Sequence, residues 1–122
     1  MSVQLNHTIV RARDKHASAR FLADILGLQV GAEAGPFAPV HLANGVTLDY
    51  MTVAEPQPQH YAFLVDDDEF ETAFARIQRA GVHYYAEPGG GQPGQINHRW
   101  DGRGVYFDDP DHHAMEILTR AP

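Results

Sequence analysis

The chain reads as one short unit written twice. The stretch from His7 to Gly27 (HTIVRARDKHASARFLADILG) can be laid over that from His60 to Gly81 (HYAFLVDDDEFETAFARIQRAG). The histidines lie 53 residues apart and the glycines 54, so one residue is inserted. Further on, VTLDYMT (46–52) answers HAMEILT (113–119), which pairs Asp49 with Glu116 at a separation of 67. A duplication constrains a fold strongly, because whatever the first copy forms the second must also form. Each copy offers one histidine on its first strand and one carboxylate on its last. Such a pairing suggests a site on the pseudo-twofold axis between the copies.

The local signals give each copy the same order of elements. Residues 3–11 read as a strand, and Asp14 is placed to cap a helix whose Ala17, Phe21, Leu22 and Ile25 recur at helical spacing. Gly27 is a fitting residue to end it. Three short strands are expected over 28–32, 37–43 and 46–53, with Pro36 and the Asn44-Gly45 turn between them. In the second copy a strand over 60–65 and a helix over 67–80 follow, with Phe70, Phe74 and Ile77 on one face. A strand near 83–86 and a hairpin of 104–107 with 113–119 around Asp109-Pro110-Asp111 complete it. The reading is a βαβββ module present twice: module 1 over 1–54, a linker over 55–58 and module 2 over 59–122, forming one domain. The second copy departs from the first mainly in the Gly- and Pro-rich loop 87–102 (EPGGGQPGQINHRWDG). The expected fold is α+β, with a curved, mostly antiparallel eight-stranded sheet and two outer helices.

Composition narrows the chemistry. With 122 residues and 43% hydrophobic content, the chain can bury an ordinary core. It has no cysteine, which excludes disulfides, thiolate metal sites and cysteine nucleophiles. A net charge of −7 argues against general affinity for nucleic acid or anionic membranes. No apolar run approaches membrane-spanning length, and the first residues lack the pattern of a secretory signal. A cytoplasmic protein with a small-molecule partner is expected.

Strand parity places the candidates on one side. Successive strand residues face opposite ways, so if Val10 and Phe63 face the helices, His7 and His60 face away with Ile9 and Ala62. Asp49 shares its side with Thr47 and Met51, and Glu116 with Ala114 and Leu118. All four can therefore line the face that the helices leave uncovered.

LNHTIV, HYAFLVDD and GRGVYFDDPDHHAMEIL, together with the duplication, resemble the vicinal oxygen chelate superfamily. That superfamily includes glyoxalase I, extradiol dioxygenases, fosfomycin-resistance transferases and bleomycin-resistance proteins. The resemblance runs through both modules. It implies a divalent metal held between modules by His7, His60 and Glu116. Glyoxalase I-like members add a glutamate where this sequence has the shorter Asp49. Two imidazoles and a carboxylate on one side of an ion leave positions open. They suit Fe(II) best, with Ni(II), Zn(II), Mn(II) or Co(II) also compatible. The stretch from Asn97-His98 through Tyr106 to Glu116 is similar to the signature of extradiol dioxygenases, in which the ligand glutamate follows a strand tyrosine by ten positions, as here. By that resemblance His98 and Tyr106 would hydrogen-bond substrate oxygens, and His41 or Asp49 would serve as acid–base group. His112 takes the place of the usual glycine in the turn after Asp-Pro-Asp, tolerable because histidine is enriched at positive φ.

The function expected is a divalent-metal-dependent enzyme that chelates a small oxygenated substrate, leaning to extradiol-dioxygenase-like chemistry. A glyoxalase I-like lyase or isomerase, with Asp49 as the alternative base, is one alternative. A non-catalytic drug-binding resistance protein is another, and short members of the family suggest a homodimer. Other polar residues have plainer readings. Asp66 to Glu69 belong at a helix N-terminus, and Gly89-Gly90-Gly91 reads as flexibility. His16 is expected on the helix surface, and His83, His112 and His113 at turns or strand ends. Arg103 is expected to pair with Asp101 or Asp108. Gln95, Asn97, Arg99 and Trp100 are candidates for a lid or a pocket wall.

Overall fold

The computed structural model describes residues 2–122 and divides into two compact units, one ending at Gln57 and the other spanning Pro58–Pro122. The first holds β1 (His7–Ala12), α1 (Lys15–Leu26), β2 (Phe37–His41) and β3 (Thr47–Thr52). The second holds β4 (His60–Leu64), α2 (Asp67–Arg79), β5 (Tyr84–Tyr85), β6 (Gly104–Asp108) and β7 (Ala114–Leu118). The fold is α+β, with a three-stranded sheet in the order β1-β3-β2 and a four-stranded sheet in the order β4-β7-β6-β5. Both are mixed: β1 runs parallel to β3 and β4 to β7, while the other pairs are antiparallel. No helix among the described residues is long and apolar enough to cross a membrane.

The caps explain where the helices begin and end. Asp14 accepts hydrogen bonds from the N–H groups of His16 (3.1 Å) and Ala17 (3.2 Å), so α1 starts with two of its orphan donors satisfied. It ends at Gly27, whose φ of +72° a side chain would resist. α2 opens with a reciprocal capping box: Asp66 accepts from the N–H of Glu69 at 2.7 Å, and Glu69 from that of Asp66 at 2.9 Å. The acidic run therefore has a structural role, as its sequence position implied.

Among the described residues seven strands form where eight were expected. The segment 28–32 is reduced to a single bridge between Val30 and Val40. Gly31 donates its N–H to the Pro39 carbonyl at 2.8 Å, but Pro39 has no N–H to return, and the ladder stops. The β2–β3 turn is as expected, with Gly45 at φ +85°.

The two copies keep the same register. In the first, His7 is paired with Thr47 and Ile9 with Asp49; in the second, His60 is paired with Ala114 and Ala62 with Glu116. The acid thus lies two positions beyond the partner of the histidine in both. Parity also holds: Val10, Leu48, Tyr50 and Val40 are buried in the first unit, as are Phe63, Val105, Met115 and Ile117 in the second. His7 and His60 are on the opposite side and exposed.

Candidate functional site

The second unit brings two of the expected ligands together. His60 Nε2 lies 2.9 Å from Glu116 Oε1, although their Cα atoms are on neighbouring strands and two positions out of register. The imidazole is 52% exposed and the carboxylate 12%, so the pair has one open and one sheltered side. Two ligands each about 2.1 Å from one ion, at right angles, stand about 3 Å apart. The observed separation therefore fits two adjacent ligands of a divalent ion, and their N/O chemistry fits it as well.

In the first unit, His7 Nδ1 lies 2.8 Å from Asn6 Oδ1, an oxygen that can only accept. In the tautomer that donates from Nδ1 to Asn6, the Nε2 lone pair is left open. Asp49 is half-buried on the same strand face as Thr47 and Met51. His41 stands in one row with Thr47 and His7, and its Nδ1 is 2.9 Å from Thr47 Oγ1. Among the described residues, no three His, Asp or Glu side chains are grouped so as to hold a metal ion.

Tyr106 stands directly across from Glu116 in the β6–β7 register, and its ring centroid is 5.6 Å from that of His60. Its hydroxyl accepts a hydrogen bond from Arg99 Nη1 at 3.1 Å, and Arg99 Nη2 donates to Glu87 Oε2 at 2.5 Å. Burial raises the pKa of the Tyr106 phenol, the Glu116 carboxylate adds to the rise, and Arg99 opposes both. Burial works to lower that of the Arg99 guanidinium. Its hydrogen bond to Tyr106 and the Glu87 charge outweigh this, so it stays charged.

Arg99, Tyr106 and Glu116 border a cavity of about 300 Å3, lined also by Ala62, Leu118 and Trp100. The long loop makes its wall, and that loop is built rather than slack. Gly89 (φ +81°) and Gly90 (φ +96°) close a tight turn in which the N–H of Glu87 donates to the Gly91 carbonyl. Asn97 and Gly104 exchange both backbone hydrogen bonds, at 2.8 and 2.9 Å. Gly89 and Gly90 supply the left-handed conformations of that turn, and Gly91 is extended.

His98 is exposed and does not line the cavity, whereas its neighbours Asn97, Arg99 and Trp100 do. Arg103 pairs with Asp67 (3.3 Å) and Glu71 on α2 and covers the Phe70 ring at 4.7 Å. The expected partners Asp101 and Asp108 were the near ones in sequence, and the fold supplies others. Asp108 instead accepts from the Tyr85 hydroxyl at 2.7 Å. His113 is fully buried, its Nδ1 accepting the N–H of Gln59 at 2.9 Å, which ties the start of β4 to the start of β7. Sequence reasoning missed both Tyr85 and His113, because strand-end position alone does not reveal burial.

Residues 4–117 match the Glyoxalase/Bleomycin resistance protein/Dioxygenase superfamily, and the chain belongs to that superfamily, whose members form the vicinal oxygen chelate fold. Two solved structures resemble it closely. Oxidase ChaP-H2 is 60% identical with a TM-score of 0.96, over 99% of this chain and 96% of that one. Oxidase ChaP-H1 is 55% identical with the same TM-score, over 98% of each chain. Glutathione transferase FosA of Serratia marcescens is 28% identical over 96% of this chain and 81% of its own length. These relatives bear the names of enzymes, two oxidases and a glutathione transferase.

Proposed function

We propose that the chain is a divalent-metal-dependent oxygenase or oxidase of a small molecule bearing two neighbouring oxygens. His60 and Glu116 are assigned as ligands from the second copy and His7 as the third ligand from the first. The observation that carries the reading is the His60–Glu116 pair, 2.9 Å apart, with the carboxylate at the border of a cavity and Tyr106 across from it. Relatives at 60% and 55% identity that bear the name oxidase support the choice of chemistry.

A bound divalent ion supplies Lewis-acid polarisation of the substrate oxygens and, as Fe(II), electrons for oxygen chemistry. The chain's own residues do the rest. Arg99 donates to the Tyr106 hydroxyl, which directs the phenol's own proton to another acceptor. Burial and the Glu116 charge keep that proton on Tyr106. Tyr106 is therefore suited to donate a hydrogen bond, to Glu116 or in its place to a substrate oxygen, and not to act as a base. His98, exposed outside the cavity lining, is assigned as a loop contact to the outer part of a substrate, and Asp49 as the acid–base group. A glyoxalase I-like reading is favoured by one observation: Asp49 holds the register position in the first copy that Glu116 holds in the second. In that reading Asp49 removes the substrate proton.

The test is anaerobic calorimetric titration of metal-stripped protein with Fe(II), Ni(II), Mn(II) and Zn(II), followed by oxygen uptake with catechols. Stoichiometric binding lost in His60→Ala, with iron-dependent oxygen uptake, is expected. Tight metal binding with isomerisation of a hemithioacetal and no oxygen uptake would select the glyoxalase-like alternative. Binding indifferent to His60 would remove the enzyme reading and leave a small-molecule binder.

A further inference from the structure

We propose that Arg99 selects the ligand of this cavity, and that the ligand is a planar aromatic ring carrying a carboxylate besides its chelating oxygens. The position of the chelating oxygens rests on the function proposed above; the ring and the carboxylate rest on the loop wall alone.

The size and surface of the cavity suit a ring. About 300 Å3 is the lower end of small-molecule sites. Ala62 and Leu118 give it apolar area, and Tyr106 and Trp100 give it aromatic faces. Trp100 is 54% exposed, an unusual state for so large an apolar side chain. The backbone holds it there at φ +59°, followed by Asp101 at φ +61°, two consecutive non-glycine residues in the left-handed region. Strain of this kind persists only where the surroundings enforce it. Here the enforcement is the Asn97–Gly104 exchange, with Asn97 Nδ2 also donating to the Ala86 carbonyl at 2.9 Å.

The charge pattern suits one carboxylate. Two cations line the cavity, Arg99 and Arg103, with one carboxylate, Glu116, which is held by His60. Arg103 is committed to two carboxylates of α2 and to the face of Phe70. Arg99 is gripped by Glu87 and Tyr106, which use two of the five donors a guanidinium carries. Glu87 is outside the cavity lining, so the grip fixes the planar fork without filling the cavity. A fixed fork matches a carboxylate at little further cost in entropy. One such cation is a poor match for a phosphonate dianion, which calls for several.

Trp100 is the sole tryptophan, so its fluorescence reports on this wall and on no other place. Zn(II)-loaded and metal-free protein would each be titrated with 3,4-dihydroxybenzoate, catechol and malate, with absorption corrected. Dihydroxybenzoate is expected to quench Trp100 with a Kd about tenfold or more below that of catechol, the scale of one charge-assisted contact. Arg99→Gln should bring the ratio of the two Kd values to about one, whatever it does to catechol binding itself, and Arg99→Lys should recover part of the ratio. Equal Kd values for the two rings, a preference that survives Arg99→Gln, or no quenching by dihydroxybenzoate would each overturn the proposal. Malate acting as tightly as dihydroxybenzoate would overturn its aromatic half. Failure of the metal assignment shows separately, as absent Zn(II) binding in calorimetry, and the carboxylate preference is then read in the metal-free protein.

Discussion

Tyr85 and Tyr106 lie stacked, their ring centroids 5.8 Å apart and their planes 7° from parallel, yet their hydroxyls are used in opposite ways. Tyr85 donates to Asp108, while Tyr106 accepts from Arg99. Burial pushes the Tyr85 phenol above its ordinary range, and its bond to the Asp108 carboxylate pushes it further. In the unfolded chain a tyrosine loses its proton near pH 10 (about). The folded protein holds the Tyr85 proton to higher pH, so this contribution to stability is complete below about pH 10 and is lost as pH rises through the folded value. The urea midpoint is therefore expected to fall between about pH 9 and about pH 11, and Tyr85→Phe should flatten that fall while lowering the midpoint at neutral pH. Equal slopes in the two proteins would mean that Tyr85 does not set the alkaline limit.

At the scale of elements, Gly104 shows how a strand and a loop depend on one another. A Cβ there would stand 2.8 Å from Asn97 Oδ1, closer than real contacts allow. Asn97 cannot yield easily, because it holds both the Ala86 carbonyl and the N–H of Arg99 (3.3 Å). Gly104→Ala should cost about 1–3 kcal/mol, as overpacking does, and chemical denaturation measures it. The same change should shift the Trp100 emission, whereas an alanine at the exposed Gly35 would not. The elements were largely legible in the sequence because caps, Gly27 and the helical spacing of Phe70, Phe74 and Ile77 are local signals. The strand over 28–32 was misread for a reason that was also visible: Pro39 cannot complete its ladder. The partners of Arg103 were not legible, since Asp67 and Glu71 reach it only through tertiary structure. Nor was the Glu87–Arg99–Tyr106 chain, whose members are brought together by the fold of the loop.

Over the whole molecule, duplication was the most readable feature, and the shared register of its histidines and acids follows from it. The copies have since diverged at one telling position. Where β6 sets Tyr106 against Glu116, β2 sets Pro39 against Asp49. The chemistry assigned to the second copy thus has no counterpart in the first, which is left with a histidine and a short acid. A metal that binds only the folded state stabilises it by mass action, by about 2.7 kcal/mol at a hundredfold excess over Kd. Thermal unfolding should therefore shift upward with Zn(II) or Mn(II), return on chelation, and be unresponsive in His60→Ala. An equal shift in that variant would place the ion elsewhere.

Pro39 carries another consequence, concerned with what happens when many such chains are crowded together. The border of a sheet is a ready template for a neighbouring chain. The outer border of β2 is covered in isolated bridges by Val30 and Ala34, and Gly31 donates to the Pro39 carbonyl. A residue with no N–H at the midpoint, with a covering segment beside it, leaves that border without a continuous row of free donors.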